Sequence, residues 1–286
     1  MKKYIIKKVG RLKFKIKWFL LMNHPNREIR SVARSIISVL NKNRWTKEEE
    51  EVFAIIEKIK NNYKVSEEMI SVTDYGAGNP VAARSKEEME IGSEKQEKVS
   101  EIVDVSASPE KWGKFMFKLI RDYRPNKCLE LGTSLGISAL YQLGALKVNS
   151  KGEIITIEGA KTLADIAQKS LSKMNYNQFE VKQGRFMEVL PSLLLNTKNI
   201  DFIFIDGHHD KTATKSYFEL IYQSAAVKSI FIFDDINWSE GMKEVWKEIS
   251  TDKKAKFIFD LGKWGIVIID KNSNNEKAPK IVKKGI

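Results

Sequence analysis

Hydrophobic and polar positions along the chain form two kinds of pattern, and their order predicts the architecture. In the first third, apolar residues recur every three or four positions, which is typical of amphipathic helices. One such stripe runs from Ile29 to Leu40, and another begins at Thr46, where Glu49 three residues later completes a capping box. We therefore predict a helical cap over residues 23–109, whose polar stretch 62–108 is loop and short helix linking the cap to the main domain.

From residue 110 onward, apolar runs of strand length alternate with helical stretches. The predicted strands are 127–131, 154–158, 179–183, 201–206, 229–234, 256–259 and 265–269. Helices between the first five predict a parallel sheet, whereas the five residues between the last two are too few for a crossover. The predicted fold is α/β: a doubly wound, mostly parallel seven-stranded sheet that ends in an antiparallel hairpin, in a Rossmann-like domain over residues 110–270.

Charge is concentrated at the two ends of the chain. The 286 residues carry a net charge of +12, but residues 1–22 contain eight Lys or Arg and no acidic residue. Residues 271–286, predicted to be a basic flexible tail, contain five Lys and one Glu, so the residues between are neutral overall. A nucleic-acid enzyme usually has a basic working face, and the neutral body argues against a nucleic-acid partner.

Residues 1–22 have the pattern of a basic amphipathic helix, which permits three interpretations. The helix lies on an anionic membrane surface, docks on an acidic partner, or packs on the body with its lysines in solvent. No apolar run reaches the roughly 20 residues that cross a bilayer, and no signal-peptide pattern is present, so we treat the start as mature sequence. Cys128 is the single cysteine and cannot form an internal disulfide, which predicts a reducing compartment. The expected location is the cytoplasm, with peripheral contact at the inner membrane face as the alternative; the oligomeric state is not predicted.

Glycine turns and acidic residues follow the first predicted strands. After the first strand, Glu130, Gly132, Thr133 and Gly136 form an E-x-G-x-x-x-G turn, which suits close approach of a ligand to the backbone. It lacks the closely spaced glycines of a dinucleotide site. After the second strand, Glu158 and Gly159 stand where an acid binds both hydroxyls of a ribose, which predicts a nucleoside ligand. After the third strand, Gly184 and Arg185 occupy the edge expected for an adenine ring.

The fourth and fifth strands run directly into acids. Asp206, Asp234 and Asp235 are expected to converge, and three carboxylates cannot all ionise in one crevice unless a cation offsets their repulsion. Oxygen ligands favour a hard ion, most simply Mg²⁺, although one of these acids could instead cap the following helix. His208 and His209 lie beside them, and either could act as a general base.

Taken in order, the motifs E-L-G-T-S-x-G, I-E-G, F-I-D-G-x-H and F-D-D-I resemble those of class I S-adenosylmethionine-dependent methyltransferases. They are most similar to the metal-dependent O-methyltransferases of the catechol and macrocin types. The resemblance implies that S-adenosylmethionine is the cofactor and Mg²⁺ a second one, with Asp206, Asp234 and Asp235 as metal ligands. It favours His209 over His208 as the base, because His209 alone matches the family's position. The cofactor-binding residues expected on these grounds are Glu130, Gly132, Thr133, Gly136, Glu158, Gly159, Gly184, Arg185 and Asp206.

The resulting hypothesis is an S-adenosylmethionine-dependent O-methyltransferase that acts, with Mg²⁺, on a hydroxyl of a small-molecule or glycan-like acceptor. Two alternatives remain: a nucleic-acid methyltransferase that uses its basic tails as arms, and a non-catalytic binding protein of the same fold at a membrane surface. The glycine-containing segment 74–78 is expected to be a lid or substrate-positioning loop, or else a plain structural turn.

Overall fold

The computed structural model describes residues 18–40, 45–79, 82–273 and 280–283. The helices are α1 (Arg27–Leu40), α2 (Lys47–Lys64), α3 (Lys86–Ile91), α4 (Val99–Ser106), α5 (Glu110–Tyr123), α6 (Ile137–Asn149), α7 (Lys161–Ser172), α8 (Phe186–Asn196), α9 (Lys211–Ser224) and α10 (Glu240–Thr251). The strands are β1 (Met69–Asp74), β2 (Gly78–Asn79), β3 (Ala82–Ala83), β4 (Ser93–Lys98), β5 (Lys127–Leu131), β6 (Glu153–Glu158), β7 (Phe179–Gln183), β8 (Ile200–Ile205), β9 (Ala225–Phe233), β10 (Ala255–Asp260), β11 (Gly265–Asp270) and β12 (Lys280–Lys283).

The main sheet has the strand order β12-β10-β11-β9-β8-β5-β6-β7. Strands β9, β8, β5, β6 and β7 are mutually parallel, and β11 runs antiparallel to both β9 and β10. The predicted doubly wound sheet and its closing hairpin are confirmed, and all seven predicted strands are present.

An eighth strand corrects the prediction of seven. β12 pairs in parallel with β10, so residues 280–283 of the predicted flexible tail are part of the sheet. Val282 is buried there, whereas its neighbours are exposed. This one apolar anchor between lysines was too short a pattern to predict a strand.

Helices cover both faces of the sheet, because consecutive residues of a buried parallel strand point to opposite sides. On β8, Phe202 and Phe204 belong to one buried core, and Ile203 and Ile205 belong to the other. The first core includes the buried residues of α1, α2, α5 and α6, and the second includes those of α8, α9 and α10.

The helical cap forms as its pattern predicts, but its linking segment does not. The capping box is present, since the Thr46 hydroxyl accepts from the Glu49 N–H and the Glu49 carboxylate accepts from the Thr46 N–H. Between residues 62 and 108, however, β1 and β4 form an antiparallel two-stranded sheet where loop and short helix were predicted. Ile70 and Val72 are its buried residues, and β4 contains no apolar residue at all, so no alternation marked it as a strand.

Most of the predicted helix over residues 1–22 lies outside the described residues. Its last part, residues 18–22, is helical. Trp18 is buried and stacks on Phe259 of the sheet, and Leu21 is buried as well, while Phe19 and Leu20 are exposed. Within the described ranges, no helix is both long and apolar enough to span a membrane.

Candidate active site

The carboxyl ends of four parallel strands meet at one cavity of about 960 Å³, which lies between the sheet and the cap. Backbone hydrogen bonds draw these ends together. The Asp206 N–H donates to the Leu131 carbonyl at 2.9 Å, and the Asp234 N–H donates to the Ile205 carbonyl at 2.9 Å. The volume is at the upper end of the roughly 300–1,000 Å³ typical of ligand sites, so a cofactor and a second small molecule can share it.

The turn after β5 can only be built with glycine at position 132. Gly132 has φ +94°, and a Cβ there would overlap the backbone oxygen of Asp206. The close approach lets the amides of Thr133 and Ser134 point towards the end of β6. The sequence therefore places a strip of bare backbone along the cavity, as the E-x-G-x-x-x-G pattern predicted.

Glu158 is held at the end of β6 by three backbone amides. One carboxylate oxygen accepts from Ser134 at 2.8 Å and Thr133 at 3.2 Å, and the other accepts from Ala160 at 3.0 Å. Burial raises the pKa of Glu158, and the backbone hydrogen bonds oppose that rise. Because each carboxylate oxygen can accept two hydrogen bonds, the side chain keeps acceptor capacity towards the cavity that it lines.

Glu130, by contrast, lies beneath the cavity and does not line it. Its carboxyl is fully buried and accepts from Gln142 Nε2 at 2.8 Å and from Thr156 Oγ1 at 2.6 Å. Thr156 in turn is hydrogen-bonded to Thr133 of the glycine turn at 2.5 Å. Burial raises the pKa of Glu130 to about 7. The geometry thus gives Glu130 a supporting position under the turn.

Of the residues predicted to bind the cofactor, some line the cavity, as Glu158 does, and others lie outside its lining, as Glu130 does. Gly132, Thr133, Glu158, Gly159, Arg185 and Asp206 line the cavity, whereas Gly136 and Gly184, like Glu130, are not among its lining residues. The Arg185 guanidinium is paired with Glu188 and donates to the Glu90 carbonyl at 2.5 Å, so it joins the end of β7 to the cap.

The structure brings the three predicted metal ligands together and adds a lysine between them. Lys263 Nζ lies 2.9 Å from both carboxylate oxygens of Asp234 and 2.9 Å from Asp235 Oδ1. Asp234 is buried, and its Oδ1 also accepts from the Asp235 N–H at 2.7 Å. Burial and the neighbouring Asp234 carboxylate raise the pKa of Asp206 well above its ordinary range, and Lys263 partly opposes the rise.

This arrangement does not fit the expected Mg²⁺ site. The Asp234 and Asp235 oxygens that a metal would need are already acceptors for the Lys263 ammonium. Across the described parts of the chain, no group of three or more His, Cys, Asp or Glu side chains is arranged to hold a metal ion. The metal predicted from the acids therefore has no support in the geometry of the donors.

The two histidines have different surroundings. His209 Nε2 lies 3.8 Å from Asp206 Oδ1, and the His209 ring lies against Trp238. His208 points the other way: its Nδ1 is 2.6 Å from the Tyr217 hydroxyl, and its carbonyl accepts from the Ala77 N–H. Burial lowers the pKa of both imidazoles, so the neutral, proton-accepting form dominates near neutral pH. Only His209 combines that form with a place among the acids.

The glycine-containing segment that follows β1 closes over the cavity. Tyr75 packs on the end of β6, since a Cβ on Gly159 would lie 2.8 Å from its ring. Asp74 fixes the base of the segment: it accepts from the Gly76 N–H and pairs with Arg84 and Lys95, each at 2.8 Å. Although burial alone would raise it, these partners hold the pKa of Asp74 below its usual value. The expectation of a lid-like loop matches this position.

Lys263 is the residue of the site that sequence reasoning missed. The predicted hairpin turn contained it, but no role was assigned to it. The register offers a signal: because β11 is antiparallel to β9, Gly265 pairs with Phe233, and the turn just before Gly265 must reach the acids that follow Phe233.

Comparisons with known proteins agree with this geometry. Residues 129–236 match a family model described as a methyltransferase domain. The chain is 30% identical over 134 residues to a catechol O-methyltransferase of Niastella koreensis, covering 46% of this chain and 58% of that protein. It is 27% identical over 128 residues to the O-methyltransferase hkm8 of Aspergillus hancockii, covering 43% of this chain and 49% of that protein. The chain thus spans about half the length of these curated relatives.

Among solved structures, an O-methyltransferase from Bacillus cereus in complex with SAH superposes with a TM-score of 0.51 at 24% identity. The superposition covers 58% of this chain and 84% of that one, and it shows the common fold. The resemblance to class I S-adenosylmethionine-dependent methyltransferases of the catechol type, inferred from four motifs, is confirmed.

Proposed function

We propose, from the premise that residues 129–236 form a class I methyltransferase domain, that this chain is an S-adenosylmethionine-dependent O-methyltransferase. The observation that carries the proposal is one cavity with two chemically different ends. Glu158, fixed by three amides, lines it together with the group of His209 and Asp206.

The end near β5 and β6 fits the cofactor. Gly132, Thr133 and Gly159 line the cavity here beside Glu158, at the carboxyl ends of β5 and β6 where open α/β sheets bind ligands. The held carboxylate of Glu158 keeps one acceptor position, on the oxygen that accepts from Ala160, and is suited to accept a hydrogen bond from a ribose hydroxyl. When bound, S-adenosylmethionine supplies a methyl group already activated by its sulfonium charge, so the protein has chiefly to align the acceptor and remove its proton.

The end of the cavity near β8 and β9 contains a proton acceptor for a hydroxyl group. His209 is kept neutral by burial and can take the hydroxyl proton, and the Asp235 and Asp234 carboxylates favour the imidazolium that forms. Trp238 lies against the His209 ring and limits its movement. Tyr75 and other cap residues also line the cavity, so a bound acceptor lies against the cap as well as the sheet.

For the acceptor, we propose a hydroxyl on a small or glycan-like molecule, because a cavity of about 960 Å³ has room for one small acceptor beside the cofactor. The catechol and O-methyltransferase names of the relatives belong to those proteins, but they agree with this choice. Within the described residues, no observation favours a nucleic-acid substrate or a non-catalytic role at a membrane. The proposal does not include Mg²⁺, because the Lys263 ammonium is already paired with Asp234 and Asp235, two of the acids that would bind the ion.

The first test is calorimetric binding of S-adenosylhomocysteine to the wild-type chain and to two variants. Glu158→Ala removes a charge-assisted hydrogen bond to the ribose, so we expect affinity to fall by about 10- to 100-fold. Glu153→Ala is the matched control, because Glu153 lies on the same strand but at its opposite end, paired with Lys127. Equal affinity of the wild type and Glu158→Ala would contradict the proposed cofactor site.

The second test is transfer of a labelled methyl group from S-adenosylmethionine to a panel of phenols, catechols, sugars and hydroxylated lipids. We expect label on an oxygen of at least one member. Label on nucleic acid or protein supplied in parallel, with none on the hydroxylated acceptors, would overturn the assignment to O-methylation.

A further inference from the structure

The ammonium group of Lys263 lies against Asp234 and Asp235, the two acids that follow β9. Lys263 Nζ has three contacts of 2.9 Å, two with the Asp234 oxygens and one with Asp235 Oδ1. An ammonium group has three N–H donors, so these contacts use its full capacity. Asp234 is 3% exposed, and a carboxylate buried to this degree requires a charged or hydrogen-bonding partner.

Backbone hydrogen bonds fix Lys263 in place, unlike a surface lysine. Its carbonyl accepts from the Ile236 N–H at 3.1 Å, and the Asn237 side chain donates to the Gly262 carbonyl at 2.6 Å. The hairpin itself is closed by the Leu261 N–H, which donates to the Trp264 carbonyl at 2.9 Å. The turn is therefore hydrogen-bonded to the segment after Asp235. These bonds place the Lys263 ammonium beside the acids.

From this placement we infer that the ammonium of Lys263 replaces a divalent metal ion as the counter-charge of Asp234 and Asp235, and that this chain works without a divalent ion. Lys263 is a positioning residue: it holds the two carboxylates in place beside His209 and neutralises them. The inference rests on the proposed methyl transfer for its consequence in turnover, but the occupancy of the acids can be tested without any turnover.

The decisive experiment measures binding of Mn²⁺ alone, by electron paramagnetic resonance, to the full chain after chelator treatment. The variants are Lys263→Met, which frees the acids, and Lys263→Arg, which keeps the charge. Lys254→Met is the matched control: Lys254 also bridges two acids, Glu219 at 2.7 Å and Asp252 at 3.3 Å, and its side chain is 30% exposed against 29% for Lys263. Lys254 is not among the residues that line the cavity.

We expect the wild type, Lys263→Arg and Lys254→Met to leave Mn²⁺ free. Lys263→Met should bind it at least about tenfold more tightly, because one positive charge beside the carboxylates has been removed. Stoichiometric binding by the wild type, or a folded Lys263→Met with no gain, would overturn the inference. If Lys263→Met does not fold, the wild type and Lys263→Arg still test the inference, because tight Mn²⁺ binding by either protein would contradict it.

Turnover supplies a separate readout. With an acceptor found in the labelling panel, the wild-type rate should stay within about twofold in excess chelator, because no metal contributes to the barrier. A loss of activity that added Mg²⁺ restores would overturn the inference while leaving the proposed function intact. The absence of any acceptor would instead contradict the proposed function, and the Mn²⁺ result would stand by itself.

Discussion

At the scale of single residues, Glu130 is an ionisable group that lies under the glycine turn and does not line the cavity. Its pKa of about 7, raised by burial from an ordinary value of 4.5, means that the folded chain holds a proton that the unfolded chain loses at pH values between the two. The folded state binds more protons in this window, so the contribution of Glu130 to the free energy of unfolding falls as pH rises from about 4.5 to about 7.

Glu130→Gln should remove this pH dependence, because the amide resembles the protonated carboxyl and can still meet Gln142 and Thr156. Relative to the wild type, we expect the variant to gain about 2 kcal/mol of unfolding free energy between about pH 5 and about pH 7.5. Urea unfolding at the two pH values measures the difference. Parallel pH profiles for the two proteins would show that Glu130 is ionised throughout.

The adjacent histidines allow a test of function at the same scale. Both have positive φ, +69° for His208 and +48° for His209, a conformation that asparagine tolerates well. His209→Asn should therefore preserve the turn while removing the proton acceptor, and we expect kcat to fall by about 10²-fold or more with unchanged affinity for S-adenosylhomocysteine. The rates are measured with the acceptor from the labelling panel.

His208→Asn is the matched control, because it changes the same side chain on the neighbouring residue. His208 is hydrogen-bonded to Tyr217 and lies outside the acid group, so its replacement should leave kcat within a few fold. Equal losses in the two variants would point to a structural role for the whole turn and against His209 as the base.

At the scale of elements, the strands that could be predicted from the sequence are those with a run of apolar residues. The central parallel strands β5 and β8 are nearly continuous buried runs, and the apolar runs located all five parallel strands to within a residue or two at their carboxyl ends. The start of β9 was missed by four residues, because Ala225–Lys228 contains small residues and a lysine, of which only Ala225 is buried, and lacks the Ile and Phe run of the second half. Strand β4 was missed entirely, since its stability comes from pairing with β1 and not from a buried face.

Candidate site residues could be predicted for a related reason. In an open parallel sheet the carboxyl ends converge, so residue types at those ends are sufficient to bring Glu158, Asp206 and Asp234 to one cavity. The sequence could not show whether a given carboxylate faces the cavity or the layer beneath it, which is the difference between Glu158 and Glu130. Nor could it show that Lys263 reaches Asp234, because that contact depends on the antiparallel register of β11 with β9.

At the scale of the whole molecule, the cap and the sheet share one hydrophobic core. The buried residues of α1 and α2 belong to the same cluster as the phenylalanines on one face of β8 and β10. Phe53 of α2 is the link between them: its ring lies 4.9 Å from Trp45 and 4.8 Å from Phe117 of α5, with edge-to-face geometry, and contacts Tyr141 of α6. A cap that packs in this way stabilises the cavity floor as well as its cover.

Phe53→Ala should consequently destabilise the entire protein and not the cap alone. We expect a loss of about 3–5 kcal/mol in unfolding free energy, and a single transition at which helical signal, tryptophan fluorescence and S-adenosylhomocysteine binding disappear together. Leu195→Ala, at a residue that is 76% exposed, is the control and should change stability by no more than about 0.5 kcal/mol. A variant that loses helical signal first, while the sheet still binds S-adenosylhomocysteine, would show that cap and sheet are separate folding units, because only an independent sheet domain could keep its cavity after the cap had unfolded.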